Sequence, residues 1–260
     1  MLAMLSIVMI DNYKPLGLRD VQLRLLRNLK AIAYIFDNSG VRYFLSFGSL
    51  LGAVRHNGFI PWDDDLDIHI HHDDYNRAVA ELNNNLPSHL AIVHHSSDMP
   101  WDVDFRLIDL ETKLDEGVGS YSRKLCIDFF KAERCHPFSG VFVSRSKKVM
   151  NEKKRKIGGC EIKYNVKFFF VLFFYKAISL LPGKSHWFVN DKISAKTFSS
   201  ASLWPLKTIS FEDGLYPVPA NTHDFLSVWY GDYMHVPPRS EQNRHFVTCY
   251  IFHKIDKDKE

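Results

Sequence analysis

Apolar residues near the start of the chain recur with two periods that predict different elements. From residue 18 to residue 36 they return every three or four positions, which predicts an amphipathic helix ending at Gly40. The stretches VRYFLSF and LDIHI predict strands, and GSLLGAVRH between them predicts a turn into a short helix. In the second strand, alternation places Leu66, Ile68 and Ile70 on one face and the aspartates and histidines on the other.

Farther along the chain, the pattern continues to mix strands and helices. LAIVHH, VDFRLIDL and LCIDFFKA predict strands, whereas DDYNRAVAELNNN and THDFLSVWYGDYM predict helices. The composition changes near residue 140, where the basic run KKVMNEKKRK is followed by the apolar stretch FFFVLFFYKAISLL. We therefore predict an α/β fold with a mixed sheet and helices in residues 1–140, and a mainly helical, basic and aromatic part in residues 141–260.

Composition and charge narrow the class of protein without indicating a function. With 46% hydrophobic and 24% charged residues, the chain of 260 residues has the composition of a globular protein. Its net charge of +3 does not indicate nucleic acid as a partner. The four cysteines form no C-x-x-C pair, and the apolar N-terminus has neither a basic leader nor a cleavage pattern. We therefore expect a reducing, cytoplasmic location.

The segment PWDDDLDIHI carries four aspartates within five positions, before and at the start of an apolar strand. Carboxylates this close repel one another when desolvated, so a solvated turn that caps the strand is one interpretation. In the D-x-D unit, however, Asp65 and Asp67 project from one strand face with Cα atoms about 6.6 Å apart. Two such carboxylates can hold Mg²⁺ or Mn²⁺, and a third from another strand would complete a site for phosphoryl transfer.

A glycine-serine turn lies just upstream of the acidic cluster. Gly48 follows a strand and allows close approach of the backbone to a phosphate, Ser49 can hydrogen-bond it, and the helix start supplies free amide donors. A lone glycine-serine pair is a weak signal, but its position before a D-x-D strand is more specific. The combination resembles the nucleotidyltransferase superfamily, in which such a turn holds donor phosphates and the D-x-D strand binds divalent metal.

A closer resemblance is to the LicD family, which transfers phosphocholine to bacterial surface glycans and is related to fukutin-type phosphoribitol transferases. RYFLSFGSLLGAVRHNGFIPWDDDLDIHI resembles its opening motif nearly throughout, LCIDFF a later strand, and VPANTHDFLSVWYGDYMHVPPRSEQNRH its closing segment. The resemblance implies a nucleotidyltransferase-like catalytic core in residues 1–140, with residues 141–260 completing the acceptor side. Three histidines, His69, His71 and His72, depart from the usual apolar or small residues.

The resemblance also implies roles for individual residues. It places Gly48 and Ser49 at the donor phosphates, and it assigns Asp65, Asp67 and Asp128 to catalysis and to the divalent metal. In this scheme, Asp128 is the third carboxylate and the base for the attack.

Chemistry alone also favours Asp128 over Asp104 and Asp109 as the third carboxylate. It stands among apolar neighbours in CIDFF, where an unpaired charge is costly and a bound cation would relieve that cost. An edge-strand aspartate exposed to water is the alternative interpretation.

Five further residues flank the D-x-D unit, and three of them have a structural alternative. Arg55 and His56 follow the short helix and are candidates for donor-phosphate binding, while Trp62 is placed to close the site. The alternatives are a surface cation, a helix-end cap and a core side chain, respectively. Asp63 and Asp64 are expected to orient the loop or a metal-bound water, because outer partners often fix the ligands of a metal.

The implied reaction is transfer of phosphocholine from CDP-choline to a sugar hydroxyl of a bacterial surface glycan such as lipopolysaccharide, with CMP leaving. Transfer of ribitol or glycerol phosphate from another CDP-alcohol is the nearest alternative. The acceptor is expected to be a glycan or a lipid-linked glycan. The basic and aromatic middle of the chain predicts either contact with the inner face of an anionic membrane or a helix buried in the core.

Two alternatives belong to other classes. A metal hydrolase would use the group formed by His69, His71 and His72. A non-catalytic membrane-surface binding module would use only the basic and aromatic middle. Arg239 and His245 match the closing segment of the LicD family, but the sequence assigns them no role.

Overall fold

The computed structural model describes residues 13–94, 105–115, 123–137, 169–170, 173–174, 177, 180, 183–190, 195–242, 244, 246 and 248–252. The helices are α1 (Leu18–Ser39), α2 (Phe47–His56), α3 (Tyr75–Asn85), α4 (Ser200–Leu203) and α5 (Thr222–Tyr230). The strands are β1 (Tyr13–Leu16), β2 (Tyr43–Leu45), β3 (Asp67–His71), β4 (Leu90–His94), β5 (Phe105–Asp109), β6 (Thr112–Asp115), β7 (Cys126–Cys135), β8 (His186–Asn190), β9 (Ala195–Ser199), β10 (Lys207–Phe211), β11 (Gly214–Val218) and β12 (Thr248–Phe252). Short 3₁₀ turns follow β3 and precede β12.

A mixed sheet of seven strands forms the centre of the described structure. Its main path is β2-β3-β7-β5-β4, and β8 and β9 extend it from β7. Only the β3–β7 pair is parallel among the pairs described in this sheet; the others are antiparallel. The predicted mixed α/β class is confirmed, and each strand and helix predicted in residues 18–135 is present.

The described C-terminal residues contain more strand than the predicted, mainly helical part. Strands β8 to β12 lie there beside the short helices α4 and α5. Strand β12 pairs with β1 and β6, and β8 pairs with β7, so strands from both halves of the chain share two sheets. The short runs HWFVN and TCYIF satisfy their backbone groups by pairing with strands of the first half of the chain. The boundary near residue 140 stays a prediction.

Helix α1 covers one face of the central sheet with its apolar stripe. Four side chains of the stripe are fully buried: Leu25, Leu29, Ile32 and Phe36. The ring of Phe36 packs edge-to-face against that of Phe129 in β7, with 6.2 Å between the ring centroids. Each buried side chain of this size contributes about 1.5–3 kcal/mol to folding. The helix ends as predicted at Gly40, whose φ of 66° suits glycine and whose N–H bonds the carbonyl of Phe36.

Much of the basic and apolar middle lies outside the described residues, as do residues 1–12 and the basic run at 147–156. Within FFFVLFFYKAISLL, the described residues Phe169, Phe170, Phe173, Phe174 and Ala177 are helical. In the part of the chain that the structure describes, no helix has both the length and the apolar character needed to span a membrane.

Candidate active site

The glycine-serine turn holds the backbone of Asp67 from both sides. The N–H of Asp67 donates to Ser49 Oγ at 2.9 Å, and its carbonyl accepts the N–H of Ser46 at 3.0 Å. Between these serines, Phe47 has φ +45°, a left-handed conformation that costs energy for a bulky residue and turns the chain sharply from β2 into α2. Ser49 is buried at 4% exposure, so the turn fixes where β3 begins. A phosphate contact of Ser49 stays a prediction.

Asp67 and Asp128 are direct neighbours across the parallel β3–β7 pair. They are register partners, and the N–H of Asp128 bonds the carbonyl of Leu66 at 3.0 Å. Because adjacent strands lie about 4.8 Å apart and opposed side chains share a face, their carboxylates project side by side. Asp67 is half-buried and Asp128 is 5% exposed. The structure thus brings together two of the three carboxylates predicted from sequence.

Asp128 does not stand without a charged partner, which corrects the sequence argument for it. Arg106 of β5 lies opposite it in register and donates from Nε to Asp128 Oδ1 at 2.7 Å. The Cys126 sulfur lies 3.9 Å from the same oxygen. Apolar residues adjacent in sequence conceal this arrangement, because the neighbours of a strand residue in space come from the next strands. The buried charge is therefore compensated by an arginine.

The loop before β3 is anchored by a glutamine on α1. Gln22 donates from Nε2 to the carbonyls of Ile60 at 3.1 Å and Asp63 at 2.9 Å. The Asp63 carboxylate accepts the N–H of Asp64 at 3.2 Å and packs against Gly48, where an added Cβ would lie 2.8 Å from Asp63 Oδ2. Asp64 is buried. This geometry fits the predicted loop-orienting role of Asp63 and Asp64, and it gives Gly48 a steric role.

Asp65 lies half-buried in the loop immediately before β3, so the prediction that it shares a strand face with Asp67 is wrong. Among the residues that the structure describes, no three His, Cys, Asp or Glu side chains converge on a single point that could hold a metal ion. The acidic pair on β3 and β7 nevertheless offers carboxylate oxygens, the ligand type that Mg²⁺ takes, and Mg²⁺ keeps several waters. The donor set fits magnesium in kind, and the metal assignment of Asp65, Asp67 and Asp128 stays a prediction.

Arg55 lies beside the chain that enters the acidic run. Its Nη1 donates to the carbonyls of Tyr233 at 2.8 Å and His235 at 3.1 Å, and its guanidinium carbon lies 5.9 Å from the Trp62 ring. Its Nε donates to His56 Nε2 at 2.9 Å, so that nitrogen of His56 is unprotonated. Burial, and then the Arg55 charge, lower the pKa of His56. Burial also lowers the pKa of Arg55, whose described partners are carbonyls and an imidazole rather than carboxylates.

The three histidines of β3 and its following turn do not form a common centre. His69 is fully buried and stacks between Phe44 at 5.3 Å and Phe130 at 5.1 Å. His71 contacts tryptophan rings and accepts the N–H of Asp73 at Nδ1, and burial lowers its pKa. His72 is exposed, 3.4 Å from Glu133. The hydrolase alternative therefore lacks an assembled histidine site in the described residues.

The remaining candidates lie apart from the acidic pair. Asp109 is fully buried and paired with Arg24 at 2.5 Å, an ion pair that fastens α1 to β5. Asp104 and His245 are outside the described residues. Arg239 is exposed in a 3₁₀ turn.

Sequence reasoning missed three residues that position the site: Gln22, Ser46 and Arg106. Gln22 left a signal, because it is a polar residue next to the buried stripe of α1. Ser46 and Arg106 gave no signal in the sequence, because their partners come from other strands. Arg106 and Asp128, for example, are 22 positions apart along the chain.

The sequence of the chain is similar to the sequences of known proteins. Residues 40–90 match the family model described as LicD/FKTN/FKRP, nucleotidyltransferase domain. The chain is 24% identical to lipopolysaccharide cholinephosphotransferase LicD of Haemophilus influenzae over 264 residues, covering 90% of this chain and 97% of that protein. It is 47% identical to human ribitol 5-phosphate transferase FKRP over 53 residues, which cover 20% of this chain and 11% of that protein.

An uncharacterised protein of Rickettsia prowazekii is 40% identical over 70 residues, covering 27% of this chain and 26% of that protein. The family match includes the glycine-serine turn, the acidic loop and β3, which are the segments that hold Asp67 in place. The similarity to the Haemophilus protein extends this relation over most of the chain. Residues 40–90 of the chain therefore match the LicD-type nucleotidyltransferase domain, and the chain as a whole is similar to a LicD protein.

Proposed function

We propose that this protein transfers phosphocholine from CDP-choline to a sugar hydroxyl of a bacterial surface glycan such as lipopolysaccharide, with Mg²⁺ as cofactor. The observation that carries the proposal is the side-by-side placement of Asp67 and Asp128 at the start of β3 and β7, next to the glycine-serine turn. The similarity to a lipopolysaccharide cholinephosphotransferase over 90% of this chain supports the choice of substrates.

In the proposed reaction, the acceptor hydroxyl attacks the phosphorus that carries choline. A new P–O bond to the sugar forms, the P–O bond to CMP breaks, and CMP leaves with the bonding electrons. Asp128 accepts the hydroxyl proton, and Asp65, Asp67 and Asp128 would together hold the cofactor. When bound, Mg²⁺ neutralises charge on the diphosphate and lowers the pKa of the acceptor hydroxyl.

Arg55 is the cation that we assign to the donor phosphates. The carbonyls of Tyr233 and His235 orient its guanidinium without neutralising it, and Trp62 packs beside it. A planar guanidinium with several N–H donors suits phosphate oxygens, to which it can make paired hydrogen bonds. His56 remains neutral while it accepts the Arg55 N–H, so it leaves the charge of Arg55 intact.

The donor is expected to be CDP-choline rather than a polyol derivative. A quaternary ammonium has no hydrogen to donate and is recognised by aromatic faces, and the Trp62 ring lies 5.9 Å from the guanidinium carbon of Arg55. We expect kcat/KM for CDP-choline to exceed that for CDP-ribitol or CDP-glycerol at least tenfold, which corresponds to about 1.4 kcal/mol. Release of CMP in the presence of Mg²⁺ and a glycan extract measures all three donors.

The comparison of the three donors distinguishes the proposed reaction from its alternatives. A preference for CDP-ribitol or CDP-glycerol would move the protein to transfer of another alcohol phosphate and leave the acidic pair as assigned. The similarity to the FKRP segment makes this the main alternative. Absence of CMP release with every CDP-alcohol would contradict the proposed function as a whole.

We further propose that the described phenylalanines of the middle segment contact an anionic membrane. Phe169, Phe170, Phe173 and Phe174 are between 49% and 65% exposed, and their spacing places them on neighbouring positions of a helical surface. The sequence upstream carries the basic run KKVMNEKKRK, which suits anionic headgroups. Such contact would bring the site to a lipid-linked glycan.

Flotation with vesicles that contain phosphatidylglycerol tests the membrane contact. We expect the protein to float with these vesicles at low salt and to be partly released at high salt, since salt screens the attraction of basic residues. Replacing both Phe170 and Phe173 by serine should reduce flotation, whereas Tyr34→Ser on the exposed face of α1 should not. Absence of flotation at both low and high salt would contradict the membrane contact, and the proposed transfer reaction would be unaffected.

A further inference from the structure

Arg106 completes a row of three charged side chains that crosses three neighbouring strands. Asp67 of β3 and Arg106 of β5 are both register partners of Asp128 in β7, one on each side. Opposed positions on adjacent strands project to the same face and lie about 4.8 Å apart. The order of charges along the row is therefore negative, negative, positive.

The row is largely shielded from water where the positive charge meets the central carboxylate. The Arg106 side chain is 19% exposed and that of Asp128 is 7% exposed, and Arg106 Nε lies 2.7 Å from Asp128 Oδ1. Charges that are withdrawn from water interact more strongly than they do in bulk solvent. A hydrogen bond between two charged groups is also directional, so this contact restricts the orientation of the carboxylate.

We propose that Arg106 is a positioning residue that orients Asp128 and limits the affinity of the acidic pair for a divalent cation. The guanidinium holds one carboxylate oxygen, and its charge offsets one of the two negative charges of the pair. A cation that binds Asp67 and Asp128 must share Asp128 with Arg106. Affinity is therefore lower than the two carboxylates alone would give, while their geometry is kept.

Part of this inference rests on the proposed function and part does not. The effect on turnover requires that Asp128 take part in the transfer reaction. The effect on cation affinity depends only on the charges in the row, so a binding measurement without substrate tests it separately.

The experiment compares Arg106→Gln, which removes the charge, with Arg106→Lys, which keeps it. Arg77→Gln is the matched control, because Arg77 Nη2 also lies 2.7 Å from an aspartate, Asp74, but in an ion pair outside the row. Binding of Mn²⁺ is measured by electron paramagnetic resonance, and thermal unfolding is followed with and without saturating Mg²⁺.

We expect Arg106→Gln to bind Mn²⁺ at least about threefold more tightly than the parent, because one positive charge has been removed from the row. We also expect Mg²⁺ to raise its melting temperature more than that of the parent, since the cation replaces the missing positive charge. Arg106→Lys and Arg77→Gln should match the parent in both measurements. Unchanged or weaker Mn²⁺ binding by folded Arg106→Gln would overturn the inference.

Turnover separates positioning from a merely structural role. We expect kcat of Arg106→Gln to fall at least about tenfold while KM for CDP-choline stays within about threefold, and Arg106→Lys to recover part of kcat. If Arg106→Gln folds only with Mg²⁺ present, the replacement of its charge by the cation is supported directly. Equal Mn²⁺ affinities of the lysine and glutamine variants would overturn the charge argument. If the parent itself turns over no CDP-alcohol, the proposed function fails while the Mn²⁺ measurement still decides the role of Arg106.

Discussion

Replacing Asp67 by asparagine is expected to abolish nearly all transfer activity while the protein stays folded. Asparagine has the same shape but lacks the charge that holds a divalent cation, so we expect activity to fall by more than about a hundredfold. This loss is larger than the one expected when a residue that only supports a metal ligand is replaced. The melting temperature should stay the same or rise, because Asp67 and Asp128 are adjacent like charges. CMP release at saturating Mg²⁺ measures the activity. The same loss of activity is expected for Asp65→Asn and for Asp128→Asn, but Asp128→Asn also removes the buried carboxylate that Arg106 contacts and should lower the melting temperature.

Asp73→Asn is the matched control for these variants. Asp73 follows β3 at its opposite end and its side chain is 67% exposed, so its replacement should change activity less than about twofold. Activity of Asp67→Asn within fivefold of the parent would contradict the metal assignment. Loss of activity in both Asp67→Asn and Asp73→Asn would indicate a general effect of charge on this strand instead.

Replacing Gly52 by alanine is expected to cause a large loss of stability. Gly52 lies on α2 against the loop that leads into the acidic run, and an added Cβ would overlap the carbonyl oxygen of Gly58 and lie 3.1 Å from the N of Ile60. Both are backbone atoms, so the helix or the loop must move. We expect a decrease of about 3 kcal/mol in the free energy of unfolding, or roughly 6–12 °C in melting temperature. Urea unfolding measures the change.

Gly17→Ala provides the comparison for Gly52→Ala. A Cβ at Gly17 would lie 3.3 Å from the Asp20 side chain, which can move, so its cost should stay below about 1 kcal/mol. Equal losses of stability in the two variants would show that close packing of α2 against the loop does not cause the destabilisation of Gly52→Ala. Activity of Gly52→Ala should fall as well, because the same loop carries Asp63 and Asp64 towards β3.

Local sequence patterns were sufficient to predict most elements around the site. The stripe of α1, the end at Gly40 and strand β3 depend on the period of apolar residues and on the preference of glycine for positive φ, although the strand begins only at the second aspartate of the D-x-D unit. The C-terminal part was harder to predict, because β12 is a strand through pairing with β1 and β6 rather than through a strong pattern of its own.

The sequence by itself determined which residues carry the candidate chemistry: the glycine-serine turn and the aspartates Asp65, Asp67 and Asp128. Tertiary structure alone decided their surroundings. It placed Asp67 beside Asp128, aligned Arg106 with Asp128, and enclosed His69 between Phe44 and Phe130. Strand register sets these contacts, and register depends on the packing of the whole sheet, because one face of each strand must match the core. A residue pattern along one strand therefore indicates which face is charged, whereas its neighbours across the sheet determine how that charge is compensated.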